Sequence, residues 1–254
     1  MSELTLAVFI AAVFLLAGGI KGVLGLGLPT VGMGLLSIVM TPAQAAGILV
    51  IPALITNIWQ VASGPALLTL VRRFALMIVA TVIGTFSTVE FLTRSSQSTA
   101  AGALGTVLAV YGLYGLVGPR LEIRPRLERW LSPPVGFVTG MLNGATGVFV
   151  IPTAPYLTAL RLHKEQLVQI VGINAFICPL ALAAALMGHG QLRIEVAGSW
   201  IIALVFSLAG MYLGQIVRRR ADELVFRRTF FIGLLALGAY MCLRAIVGSS
   251  AQAS

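Results

Sequence analysis

The chain has 254 residues, of which 58% are hydrophobic and only 10% charged. A soluble domain carries about a quarter charged residues, so this composition excludes a wetted globular surface. It marks an all-α integral membrane protein, because the apolar runs are too long and too unbroken for barrel strands. The net charge of +9 sits in short loops between apolar segments, the usual seat of topology-setting arginines, so no nucleic-acid partner is expected. Cys178 and Cys242 lie inside apolar segments without metal-ligand spacing, so neither a metal nor a cofactor is expected.

In chain order, a first apolar stretch runs from Leu4 to Met40 and is interrupted at Lys21-Gly22-Val23-Leu24-Gly25-Leu26-Gly27-Leu28-Pro29. The preceding Met1-Ser2-Glu3 has no basic region and no cleavage site, so the stretch reads as a retained helix. Ordinary apolar segments follow at Ala43–Ser63, Phe74–Thr93 and Thr99–Gly118, and then a polar loop, Pro119–Trp130. A second broken stretch, Pro133–Leu160, is interrupted at Gly140-Met141-Leu142-Asn143-Gly144-Ala145-Thr146-Gly147. It too precedes three ordinary segments, Gln166–Gly188, Val196–Val217 and Thr229–Gly248.

The layout therefore divides into a first repeat over 1–119, a linker over 120–130, a second repeat over 131–248 and a disordered tail over 249–254. Gly64 and Gly190, Gly84 and Gly210, Arg94 and Arg220, Gly112 and Gly238, and Tyr114 and Tyr240 match at an offset of 126. Gly22 and Gly140, and Leu24 and Leu142, match at 118. The ordered set points to an internal duplication.

Loop charge chooses the topology. If every long stretch crosses once, eight bases fall on each side, with no preference. If each broken stretch returns to the side it entered, thirteen bases gather on one side: Arg72, Arg73, Arg120, Arg124, Arg126, Arg129, Arg161, Lys164, Arg218, Arg219, Arg220, Arg227 and Arg228. Only Arg94, Arg193 and Arg244 stand opposite, with Lys21 inside a break. Basic loops stay in the cytoplasm, so both termini are expected in the periplasm. Each half then crosses an odd number of times. The fold expected is two inverted-topology repeats, each a broken or re-entrant helical hairpin followed by three transmembrane helices.

A return inside the bilayer is tolerable only where its backbone is buried in protein or lines a cavity. Two such breaks in matching positions point to a transporter site between them. Pro29 suits the first turn of a new helix, and Thr146 is expected to cap the corresponding second arm. Both second arms are expected to start near mid-membrane, with open N–H groups and the positive dipole end facing an anion. The candidate substrate-binding residues are Lys21, Gly25, Gly27, Pro29, Asn57, Asn143, Gly144, Thr146, Gly147 and Asn174. For the glycines the competing reading is close helix packing, and for the asparagines it is hydrogen bonding between helices. Lys21 has the alternative of snorkelling to an interface, as Arg244 is expected to do. Glu90 and Arg94 read as a helical ion pair. Gly112, in an ordinary span, is expected to tolerate a bulky side chain better than Gly27 or Gly144.

The paired motifs Gly-Ile-Lys-Gly-Val-Leu-Gly-Leu-Gly-Leu-Pro and Gly-Phe-Val-Thr-Gly-Met-Leu-Asn-Gly-Ala-Thr-Gly resemble the sulfite exporter TauE/SafE family, as do the length, the two-repeat layout and the central basic loop. The chain departs from that family's glycine triplets by interposing Leu26 and Ala145-Thr146. The resemblance implies a multi-pass carrier of a bacterial-type inner membrane, with sulfite, an organosulfonate or a related small anion as substrate and the lipid bilayer as its other partner. A homodimer is compatible with this reading. Export is the leading expectation; cation-coupled uptake of an anion and a non-transport role in membrane assembly are the alternatives. An enzyme is not expected, since the two histidines lie at segment ends and no intramembrane acid pair exists.

Overall fold

The computed structural model describes residues 3–62, 66–118, 122–190, 197–218 and 222–253. Gly64, Arg120, Arg193, Arg219 and Arg220, named above, lie outside them. The described residues are helical and contain no strand. The helices are α1 (Glu3–Leu24), α2 (Leu28–Leu36), α3 (Pro42–Ala62), α4 (Leu67–Arg73), α5 (Ala75–Arg94), α6 (Gln97–Val117), α7 (Pro125–Thr146), α8 (Thr153–Ala159), α9 (Lys164–Gly188), α10 (Ala197–Arg218) and α11 (Glu223–Ala253). Six of these are long and apolar enough to cross a membrane: α1, α5, α6, α9, α10 and α11. The chain is a multi-pass helical membrane protein.

Local chemistry accounts for several boundaries. Glu3 in the first turn of α1 and Lys21 in its last both suit the helix dipole. Ser96 caps α6, accepting from the Thr99 amide at 3.2 Å. Gly147 ends α7 in the left-handed region at φ 71°, where a side chain is strained. Two boundaries differ from the sequence reading. α7 starts at Pro125, within the stretch read as linker, and carries Pro133 and Pro134 inside it. α11 runs to Ala253, through residues read as a frayed tail.

The helices gather into two units. The first holds Met1–Pro52, Ser95–Gly118 and Arg193–Ser254. In it α1 lies parallel to α10: Gly18 meets Ser207, and Gly22 meets Met211 and Gly214, backbone against backbone. α6 lies antiparallel to α11, with Gly105 against Met241 and Gly112 against Leu235. A Cβ on Gly112 would stand 2.6 Å from the Leu235 amide nitrogen and 2.8 Å from the Phe231 oxygen. The expected tolerance of Gly112 is therefore overturned, since that span is in backbone contact along its length.

The second unit holds Ala53–Arg94 and Pro119–Leu192. Here α5 lies parallel to α7, with Gly136 against Met77, Gly140 against Thr81 and Gly144 against Thr85. Small residues four apart let membrane helices approach this closely. Arg73 at the end of α4 clamps Glu128 of α7 through two 2.6 Å hydrogen bonds. Glu90 pairs with Arg94 at 3.5 Å, as expected from their spacing, and both are exposed.

Candidate functional site

In the first unit the break is short. α1 continues through Gly22, which packs on α10, and ends at Leu24; only Gly25, Leu26 and Gly27 lie between the arms. The Gly25 amide closes the last turn of α1 on the Lys21 carbonyl at 2.7 Å. Gly27 caps α2 at φ 115°, a conformation that only glycine adopts without strain. Pro29 follows in the first turn of α2, where its missing N–H is harmless. The new helix leaves the Leu28 and Thr30 amides without intrahelical acceptors.

Two side chains flank this helix start. Lys21, one turn before Gly25, is 4% exposed and is the one charged member of the buried set among the described residues. Thr30 is fully buried, and its hydroxyl has no hydrogen-bond partner. Thr30 is absent from the sequence expectation. Its signal lay in the Pro-Thr pair opening an arm, which places a hydroxyl in the first turn once the helix start is known.

The height of this break differs from expectation. Gly18 meets Ser207 near the middle of α10, and Gly25 lies about 10 Å farther along at 1.5 Å per residue. The break thus sits toward the Arg218 end of α10, because α1 is a full-length helix of 22 residues and not a half-length arm. The return arm runs back far enough for Arg244 of α11 to donate to the Ile38 carbonyl at 2.8 Å. Arg244 therefore anchors the end of that arm.

In the second unit the break runs from Gly147 to Pro152. Gly140 and Gly144 are inside α7 and act in packing: a Cβ on Gly144 would collide with Thr85 and Thr88. Thr146 does not cap the second arm. It sits in the last turn of α7, donates to the Leu142 carbonyl at 2.7 Å and accepts from the Val148 amide at 3.3 Å. The physical reason is that α8 starts seven residues later, at Thr153, beyond its reach. Thr153 instead pairs with Thr139 through their hydroxyls at 2.6 Å.

The asparagines meet around α9. Pro179 lacks the N–H that would otherwise bind the Ala175 carbonyl. Asn57 donates to that carbonyl at 2.7 Å, and Asn143 donates to the Cys178 carbonyl at 2.9 Å and to Thr85 Oγ1 at 3.1 Å. Asn174 accepts a long contact from the Cys178 thiol. These bonds are the interhelical reading of Asn57 and Asn143. One atom is left over: Asn143 Oδ1 is buried without a partner. Pro179 and Thr85 went unread in the sequence because their role exists only once α3, α7 and α9 are packed.

Each unit thus holds part of the expected set, with Lys21, Gly25, Gly27 and Pro29 in the first and Asn57, Asn143, Gly144, Thr146, Gly147 and Asn174 in the second. No cluster of metal-ligating side chains occurs among the described residues. Helices broken beside buried polar groups, in a chain with six membrane-spanning candidates, are a feature of membrane transporters. The model of the sulfite exporter TauE/SafE family matches residues 10–241, and the chain belongs to that family. No curated protein and no solved structure matches it.

Proposed function

We propose that the protein exports a small oxyanion of the sulfite or organosulfonate class across the cytoplasmic membrane, holding it at the first break. The observation that carries this reading is that buried donors border the break along the chain on both arms. A buried lysine and an unpartnered buried hydroxyl stand on either side of the three-residue break that opens α2. A helix start adds free amides and the positive end of its dipole. An inside-negative potential favours expulsion of an anion by about 2.3 kcal/mol per charge per 100 mV, so the reading needs neither a coupling ion nor a catalytic step.

A second reading, cation-coupled uptake, is favoured by Asn143 Oδ1. It is a buried acceptor without a partner, at the negative end of α7, and acceptors of that kind hold cations in broken-helix carriers.

The two-repeat inverted arrangement, with basic loops in the cytoplasm and both termini in the periplasm, belongs to the same proposal. Helix pairing supports it. Exchanging α1 with α7, α5 with α10 and α6 with α11 turns each observed pair into another observed pair. The matched glycines also do matching work: Gly84 packs on α7 and Gly210 on α1, while Gly112 packs on α11 and Gly238 on α6.

Flux from liposomes loaded with sulfite or sulfoacetate tests the function. Efflux that slows as potential builds, and recovers under a potassium–valinomycin clamp, is the expected result. Efflux indifferent to the clamp but set by a sodium or proton gradient would replace export with coupled transport. Absence of flux for every anion tried would leave the assembly role. Cysteine labelling at Ser2 and Ser254, in a background without Cys178 and Cys242, tests the topology; labelling of both only after inner-membrane permeabilisation would overturn it.

A further inference from the structure

The first unit carries a feature that anion transport does not use. A groove of about 710 Å³ opens between α1, α2, α10 and α11. Its lining is apolar apart from Thr229, whose hydroxyl is already committed to the Val225 carbonyl at 2.9 Å. Leu16 and Leu213 on its rim are more than half exposed. Such a surface has no use for an oxyanion, which needs donors.

Its length and direction are specific. Along α1 the groove runs from Val23 to Ala12, and along α11 from Phe226 to Leu237. Eleven residues of helix rise about 17 Å, close to half of the roughly 30 Å hydrocarbon core. One end, at Val217 and Phe226, adjoins the turn between α10 and α11. Beside that turn stand Arg218 at the end of α10 and Arg227 and Arg228 in the second turn of α11, against Asp222 and Glu223, and the three arginines are exposed. Glycines keep the groove open. A Cβ on Gly233 would meet nothing within 4 Å, and one on Gly19 would meet only the Gly210 oxygen at 3.7 Å.

We propose that this groove is a binding site for an anionic phospholipid, one acyl chain lying between α1 and α11 and the phosphate meeting the arginines at its basic end. Depth matches one leaflet, lining matches a hydrocarbon chain, and the excess of bases at one end matches the headgroup. A second copy of this chain is a poorer occupant, since it would bring the same arginines against one another. The groove also touches the first break from behind. Ile20 and Phe230 line it, and the same two side chains are the nearest neighbours of Gly27, so an occupied groove supports the turn that opens α2.

Purified full-length protein in a mild detergent, titrated with phosphatidylglycerol or with phosphatidylcholine, tests this directly. The expected result is a rise in thermal midpoint of about 5 °C or more at saturating phosphatidylglycerol, with less than half that rise for phosphatidylcholine. Gly233→Leu, whose Cβ meets nothing within 4 Å, puts a side chain into the groove and should abolish the difference between the lipids. Arg218→Gln/Arg227→Gln should abolish it while leaving the midpoint without lipid unchanged. Gly198→Leu, at another open glycine outside the groove, should retain it. Native mass spectrometry should count one retained phosphatidylglycerol on the wild type and none on Gly233→Leu. Equal stabilisation by both lipids, full retention of the effect in Gly233→Leu, or a wild-type dimer that Gly233→Leu converts to monomer would each overturn the proposal.

Discussion

At the first break the chain leaves α1 beside a buried lysine, crosses three residues and starts a nine-residue helix with its hydroxyl of Thr30 unclaimed. At the second, α7 closes on its own Thr146 and Gly147, crosses six residues and enters a helix of seven, leaving Asn143 Oδ1 as the unclaimed atom. One break is rich in donors and the other keeps a spare acceptor. The glycines that hold the arms against their neighbours have been kept in both: Gly18 and Gly22 on α1, Gly136 and Gly140 on α7. Packing between helices tolerates no added atom there, whereas the tips of the hairpins are free to diverge in charge. Shared motif therefore marks shared packing, and chemistry has to be read from what differs.

The largest effect is expected where the two regions agree. Gly22→Leu and Gly140→Leu each drive a side chain into facing backbone, of Met211 and Thr81 respectively. Both should abolish recovery of monodisperse protein, since overpacking costs about 1–3 kcal/mol even where neighbours adjust and backbone here cannot. Size-exclusion profiles check this. A well-folded Gly140→Leu would break the parallel between the arms.

Next comes the contrast in charge. Lys21→Gln should weaken anion binding by about 1–3 kcal/mol, the scale of a hydrogen bond to a charged group, with little change in thermal midpoint. Asn143→Ala should do the reverse, lowering stability by about 1–3 kcal/mol because the bonds to the Cys178 carbonyl and Thr85 Oγ1 are lost together, while anion affinity holds. Calorimetric titration with sulfite and a melting curve for each variant separate the two. Unchanged affinity in Lys21→Gln would remove the lysine from the site and leave the helix start of α2 as its anchor.

The smallest effect sharpens the same contrast. Thr30→Val keeps the shape and deletes an unpartnered hydroxyl, so affinity should fall by about 0.5–1.5 kcal/mol with stability equal or slightly higher. Thr146→Val deletes a hydroxyl that is bonded twice and should cost stability alone. Equal affinity losses in both would mean that the second break also touches the anion.

Much of this was legible before folding. The gathering of thirteen bases on one side led to the expectation that the first stretch returns, and the bond from Arg244 to Ile38 agrees with that expectation without fixing the side of the membrane. Charge patterning works because it reports on a whole loop and survives errors of several residues. The height of the break was not legible: Gly22, Gly140 and Gly144 read as turn residues, but a helical glycine against a neighbour and a glycine at a turn look alike until the neighbour is known. The asparagines were legible only as polar groups needing partners. The Ala175 carbonyl that Asn57 meets is freed by Pro179, an effect of one residue on another's backbone that no spacing rule between Asn57 and Ala175 encodes. Thr146 was misread for a simpler reason, since the start of α8 had been placed too early.

The bond from Asn57 to Ala175 has a consequence for how this protein is made. The two residues are separated by 118 positions, and ribosomes add roughly 5–20 residues per second, so Asn57 leaves the ribosome about 6–24 s before the carbonyl that accepts its amide exists. Through that interval the nascent third helix lacks one partner that the folded protein gives this amide. The third helix therefore reaches its final packing only after α9 has been made. The first half of the chain, synthesised alone, should melt at a lower temperature than the whole protein, since it can never form this bond; an equal midpoint in a thermal unfolding scan would show that the bond adds nothing.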